Sequence, residues 1–149
     1  MASEAVLAAL PHRPPFLFVD EIVEREADRI VTRWHVPHDL PAFQGHFPGD
    51  PVLPGVILCE FCFQSAAILY SNPDERSQPG TSTALLTRIE DARFRRVVLP
   101  GETVTAELKT RERLSNARYV DAKVSVGKDL CLRISFAVAL VERTQASPA

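Results

Sequence analysis

The chain has 149 residues, 46% of them hydrophobic, and a formal net charge of −2. That size suits one domain, residues 1–149, with a real core, and the weak acidity excludes a nucleic-acid binder working through bulk charge. No run reaches the ~18 apolar residues of a membrane span, and Met1-Ala2-Ser3-Glu4 lacks a basic leader, so the expectation is a soluble, cytoplasmic protein.

Ser3 to Leu10 predicts a short amphipathic helix, with Ser3 as N-cap and Pro11 beyond its end. Phe16 to Glu24 reads as a strand, and Arg29 to Val36 as its hairpin partner. The loop from Pro37 to Pro54 follows. Its last part, Gly45-His46-Phe47-Pro48-Gly49-Asp50-Pro51-Val52-Leu53-Pro54, runs on into Gly55-Val56. Prolines fix φ and glycines reach backbone shapes closed to other residues, so this loop is shaped rather than slack.

Gly55 to about Ser71 contains no proline and no further glycine, which predicts a helix of roughly 25 Å at 1.5 Å per residue. The segment is apolar on nearly every face and carries one charge, Glu60, so the helix is expected to be buried on all sides. Asn72 to Ser82 reads as a polar surface loop. Four β-like runs come next: Ala84 to Val98, Thr103 to Leu114, Arg118 to Val126 and Leu130 to Val141, expected to meander. Pro100-Gly101, Ser115-Asn116 and Gly127-Lys128-Asp129 separate them, and the tail from Thr144 should fray.

These elements predict an α+β architecture, an antiparallel sheet wrapped around one central helix. Such a sheet leaves an edge strand and one wall of the helix poorly covered. A second copy would close both gaps, so a homodimer is expected.

Cys59 and Cys62 form a C-x-x-C, but they lie inside the apolar run, and with Cys131 they read as reduced core thiols. His12, His35 and His38 form no complete ligand set, so no metal is expected. Arg88, Arg93, Arg95, Arg96, Arg111 and Arg113 make the middle of the chain locally basic. Glu90, Asp91 and Glu112 can neutralise part of that charge on a solvated strand face. Alternatively, Arg93 and Arg95, two apart on a strand and hence on one face, serve an acidic partner together.

Four segments resemble the β-hydroxyacyl-acyl-carrier-protein dehydratases of fatty-acid synthesis. They are Leu10-Pro11-His12-Arg13-Pro14-Pro15-Phe16-Leu17-Phe18-Val19-Asp20, then Phe43 to Val56 through the loop, Glu60-Phe61-Cys62-Phe63-Gln64, and Ala92-Arg93-Phe94-Arg95-Arg96-Val97-Val98-Leu99-Pro100-Gly101. The resemblance implies the hot-dog fold, and a dimer or trimer of dimers in which each site draws its histidine and carboxylate from different subunits. It implies catalytic roles for His46 and for Glu60, as in the glutamate branch of the family. Gly55 falls where a backbone N–H meets the thioester carbonyl, and Gln64 matches the glutamine that supports the carboxylate. Phe47, Gly55, Val56 and Gln64 form the implied substrate and oxyanion set. Arg93 and Arg95 would dock the acyl-carrier protein, or a coenzyme A thioester would take its place, and no cofactor is implied.

The chain departs from that pattern at Cys62-Phe63, where the glutamate branch has small or flexible residues such as Met-Ala, which implies a narrower acyl tunnel. Gly49-Asp50-Pro51-Val52 resembles the aspartate branch instead, Val97 replaces a usual proline, and Leu53 stands where some members have a gating tyrosine.

The residue types suit the implied chemistry. Dehydration needs a base for the proton beside the carbonyl, and a histidine with an unperturbed pKa of ~6.5 is mostly neutral near pH 7. It also needs an acid still protonated near pH 7, and burial among apolar residues raises a carboxyl pKa. Free N–H groups where the central helix begins, at Gly55 and Val56, would stabilise charge on the thioester oxygen. A hot-dog thioesterase and a non-catalytic acyl-binding module are the alternative readings.

Overall fold

The computed structural model describes residues 1–72 and 82–142. The expected loop after Asn72 and the expected frayed tail lie almost entirely outside them.

Helix α1 (Glu4–Ala9) begins at Ser3, whose Oγ accepts from the Val6 N–H at 3.3 Å. Arg13 closes its other end by donating to the carbonyls of Leu7 (3.1 Å) and Leu10 (2.8 Å), groups near a helix end that lack intrahelical partners. Strands β1 (Glu21–Arg25) and β2 (Arg29–His35) form the first hairpin. The first strand therefore starts five residues later than its sequence suggests. The backbone of Phe16 to Phe18 bonds to a buried side chain instead of a neighbouring strand: the Phe18 N–H donates to Gln64 Oε1 at 2.8 Å, and the Phe16 carbonyl accepts from Gln64 Nε2 at 3.3 Å.

The central helix, α2 (Gly55–Leu69), precedes β3 (Ser82–Phe94), β4 (Thr103–Leu114), β5 (Ala117–Val126) and β6 (Asp129–Glu142). All six strands join one antiparallel sheet in the order β1-β2-β4-β5-β6-β3. The expected four-strand meander thus holds for β4, β5 and β6 and fails for β3. That strand pairs with β6 at the far edge, and β4 pairs with β2 instead. The link between β3 and β4 is consequently a crossing loop rather than a hairpin. Arg96 holds it with two bonds to Glu102, at 2.8 and 2.9 Å. At Gly101, φ is +84° and an added Cβ would lie 2.5 Å from the His38 ring, so both backbone and space require glycine.

The sheet curls around α2, and the core lies between them. Phe18, Trp34 and Phe61 stack in series, with ring centroids 5.2 and 6.1 Å apart. One polar tie pins the helix to β2: Ser65 Oγ donates to the Phe61 carbonyl, so Thr32 Oγ1 must be the donor in its 2.7 Å contact with Ser65. Both residues are fully buried.

The helix is not covered on all sides, contrary to its uniformly apolar sequence. Val56, Glu60, Phe63 and Ala67 stand at i, i+4, i+7 and i+11, one stripe of the helix. Val56 is 75% exposed, Glu60 and Phe63 are half-buried, and only Ala67 is buried. The edge strand β3 also carries exposed Leu85, Leu86, Ile89 and Phe94. The sheet runs out before it closes around the helix, and apolar side chains remain on the open side. No described helix is long and apolar enough to cross a membrane.

Candidate active site

A 3-10 turn, Pro41–Gln44, leads into the histidine loop. The loop is held by its own backbone: His46 N–H donates to the Ala42 carbonyl (3.0 Å), Val52 N–H to the His46 carbonyl (3.0 Å) and Leu53 N–H to the Val98 carbonyl (2.8 Å). The His46–Phe47 peptide is cis. His46 Nδ1 lies 2.8 Å from the Val52 carbonyl oxygen. A carbonyl can only accept, so Nδ1 carries a proton, and in the neutral ring the free lone pair is on Nε2. The imidazole stacks on Phe47, centroids 4.2 Å apart, and Phe47 itself is 53% exposed.

His46 opens on a groove of about 470 Å³ that it shares with Gly55, Leu58, Phe94, Arg95 and Val97. The N–H groups of Gly55 and Val56 belong to the first turn of α2, where no carbonyl four residues back lies within the helix. They are oriented donors with the positive end of the helix behind them. Gly55 is where the helix meets Phe94: an added Cβ would stand 2.8 and 3.0 Å from the ring. Phe94 is 52% exposed, so it can swing away at little cost. We therefore expect Gly55→Ala to change unfolding free energy by no more than about 1 kcal/mol, since the lost packing is offset by alanine's better helix propensity. The displaced ring would reshape the groove, so Michaelis–Menten kinetics should show a KM raised several-fold.

Glu60 faces elsewhere. Five residues beyond Gly55 is about 140° further round the helix, and Glu60 lines a second groove of about 380 Å³ with Pro11, His12, Phe63, Ala67, Leu85, Leu86 and Val138. Burial pushes its carboxyl above the usual range, and a hydrogen bond from Gln64 pulls weakly the other way. That bond runs from Gln64 Nε2 to Glu60 Oε2 at 3.1 Å. The orientation of the amide is dictated, because the Phe18 N–H requires Gln64 to present its oxygen there. Gln64 is fully buried, behind Glu60 rather than in the groove. In this chain its amide reaches Glu60 and the Phe16–Phe18 backbone, the supporting position the resemblance implies.

Within one chain His46 and Glu60 line different grooves, one on each side of the start of α2. Gly55 falls with His46, Val56 on the exposed stripe with Glu60, and Phe47 beside the imidazole. Arg93 and Arg95 line one hollow on the outer face of the sheet, with Arg111, Arg133, Asp91 and Asp121. Arg95, just past the end of β3, also borders the His46 groove. Arg93 pairs with Asp91 at 3.1 Å, and Arg96 is committed to Glu102.

The three cysteines are free and buried, and burial pushes the Cys59 and Cys62 thiols up, away from reactive thiolates. Among the described residues no group of three or more His, Cys, Asp or Glu could hold a metal ion. The site residue that sequence reasoning passed over is Phe94. Its only signal was its place in the Ala92-Arg93-Phe94 motif, since its contact with Gly55 crosses 39 positions of the chain.

The architecture has close counterparts. The dehydratase heterocomplex ApeI:P from Xenorhabdus doucetiae superposes with a TM-score of 0.74 over 91% of this chain and 90% of that one, at 15% identity, a likeness of fold. The chain is 38% identical over 146 residues to the 3-hydroxyacyl-(acyl-carrier-protein) dehydratase FabZ of Solibacter usitatus, covering 97% of this chain and 88% of that protein. It is 34% identical to the enzyme of the same name from Chloroflexus aggregans, over 97% of this chain and 99% of that one. Residues 22–128 match the family model described as ApeI-like, ApeI dehydratase. With that model spanning most of the hot-dog sheet and all of the central helix, the chain belongs to the ApeI-like dehydratase family.

Proposed function

We propose that this protein dehydrates β-hydroxyacyl thioesters, carried on an acyl-carrier protein, to trans-2-enoyl thioesters and water. The observation that carries the reading is the complementary state of two groups. His46 turns its Nε2 outward because Val52 holds its other nitrogen, and burial raises the Glu60 carboxyl pKa and so favours its protonated form.

In the reaction His46 Nε2 takes the proton from the carbon beside the carbonyl. The electron pair of that C–H bond forms the new C=C double bond as the β C–O bond breaks. Glu60 gives its proton to the departing hydroxyl, which leaves as water. Charge that builds on the thioester oxygen is met by the first N–H groups of α2, at Gly55 and Val56. The proton on His46 returns through solvent to Glu60 before the next turnover, so the cycle consumes no cofactor.

Two copies of the chain would make the site. The open stripe of α2 and the apolar edge of β3 give a second copy something to bury, and pairing β3 edges extends the sheet. In such a dimer the His46 groove of one copy lies against the Glu60 groove of the other. The carrier would dock beside that entrance on Arg93 and Arg95. Cross-strand neighbours Arg93, Arg133 and Lys123 form a basic row there, partly neutralised by Asp91 on Arg93 and Glu107 on Lys123. A substrate tethered to a soluble carrier makes the cytoplasm its place of work.

The test supplies 3-hydroxyacyl carrier and 3-hydroxyacyl coenzyme A thioesters in parallel. Enoyl formation is followed by absorbance, and free thiol with a thiol reagent. Enoyl product without thiol, and a lower KM for the carrier form, is the expected result. Thiol release without enoyl would make the protein a thioesterase, and tight binding without either product would make it an acyl-binding module.

A further inference from the structure

We propose that Phe63 sets the length of acyl chain this protein accepts, by standing across the groove one helical turn beyond Glu60. The inference rests on the reading of Glu60 as the group that meets the β-hydroxyl. From there the acyl tail has one apolar way to go within this chain. The groove runs along α2 from Glu60 past Phe63 to Ala67, with Leu85 and Leu86 of β3 and Val138 of β6 as its other wall.

Phe63 and Ala67 differ sharply in what they leave open. Positions 60, 63 and 67 share one face, so a chain leaving Glu60 meets Phe63 after about 4.5 Å of helix rise and Ala67 after about 10 Å. Ala67 is small and takes up little of the groove it lines. Phe63 is large, half-buried and lines the groove between Glu60 and Ala67 along the helix.

The ring is also held. It sits edge-on against Phe136, centroids 5.0 Å apart and planes at 74°, and Phe136 is fully buried in β6. An edge-to-face pair is favourable, and moving the Phe63 ring aside would break it. A flexible side chain at this place would fold away from a long substrate, whereas this one is braced. Ala67 therefore leaves the tail room that Phe63 does not, and the Phe63 ring resists displacement. Short chains end before the ring and are unaffected by it.

The experiment compares wild type with Phe63→Met and Phe63→Ala, and with Ala67→Phe in the Phe63→Ala background. The readout is the ratio of kcat/KM for 3-hydroxydodecanoyl carrier to that for 3-hydroxybutyryl carrier. The ratio should rise at least tenfold in Phe63→Ala, rise less in Phe63→Met, and fall back when Ala67→Phe refills the groove. A ratio unchanged within twofold in variants whose circular dichroism matches wild type overturns the proposal. A second readout separates this inference from the reaction it rests on. Calorimetric binding of non-reactive 3-hydroxyacyl pantetheine amides of the same two lengths should shift in the same order, whether or not turnover is seen. If wild type has no dehydratase activity yet the binding ratio shifts, the reaction assignment fails and the length gate stands. If dehydration occurs and neither ratio moves, the gate fails alone.

Discussion

Replacing His46 with Ala or Glu60 with Gln should each lower kcat/KM for enoyl formation by about 10²–10⁴-fold, the usual worth of a positioned acid or base. Both side chains sit at the surface of grooves rather than in the packed core, so both variants should keep the wild-type oligomeric state and circular dichroism. The double variant should be little worse than the singles, because the two proton transfers belong to one event. The sharper measurement mixes the two single variants. If each site takes His46 from one copy and Glu60 from the other, subunit exchange restores one intact site in every mixed dimer. Random exchange at equal amounts then returns about a quarter of wild-type activity, as two-fold symmetry requires. If instead each chain supplied both residues to its own site, every site in the mixture would stay defective. The separate grooves of His46 and Glu60 favour the first outcome.

The same pair has a pH signature. Burial raises the Glu60 pKa in the folded chain, so between its ordinary and raised values the folded protein holds a proton that the unfolded chain has lost. The stability tied to that proton is fully present below the ordinary glutamate range and is lost as pH rises through the raised value. Activity should fall along the same alkaline limb, since an ionised Glu60 has no proton to give. Glu60→Gln should therefore be more stable than wild type on the alkaline side, with the difference vanishing in acid. The proposed acid role and the stability of the helix are in conflict at this position.

Much of this was legible before the fold was known, and what was missed has a common cause. The bounds of α2 and β4 follow from local punctuation, with Pro54 and Gly55 at one end of the helix and Pro100-Gly101 before the strand. His46, Glu60 and Gln64 also declare themselves locally, as a shaped loop and an i, i+4 pair in an apolar helix. The misplaced features depend on partners far along the chain. Nothing near β3 says that it will pair with β6 rather than β4, and nothing near Phe16 says that a glutamine 46 positions beyond Phe18 will claim its backbone. The open stripe of α2 is likewise a property of where the sheet stops. Periodicity reports which residues dislike water, not whether one copy of the chain has enough sheet to cover them.

Gln64 links that stability to the chemistry, and its replacement should expose both. In Gln64→Met the volume is roughly kept, but the Phe18 N–H, the Phe16 carbonyl and Glu60 all lose a partner. A buried donor left unmade, as at Phe18 N–H, costs about 1–3 kcal/mol, and the two part-buried groups, which water can reach, add less, so a total loss of about 2–4 kcal/mol is expected. For a domain of this size that corresponds to a melting temperature lower by on the order of 10 °C, readable by calorimetry. A purely structural residue would do no more. Gln64, however, also donates to Glu60 and draws its pKa down. Without that donor the carboxyl should hold its proton to higher pH, and the alkaline limb of the activity profile should move upward in the surviving folded enzyme. Gln64→Glu should be less forgiving than Gln64→Met, because a second carboxyl 3 Å from the first cannot ionise with it and cannot donate to it and to Phe16 at once. A limb that stays in place in Gln64→Met while the protein melts early would reduce Gln64 to a brace for the Phe16–Phe18 backbone. A limb that moves makes it the group that sets how far burial is allowed to raise the acid.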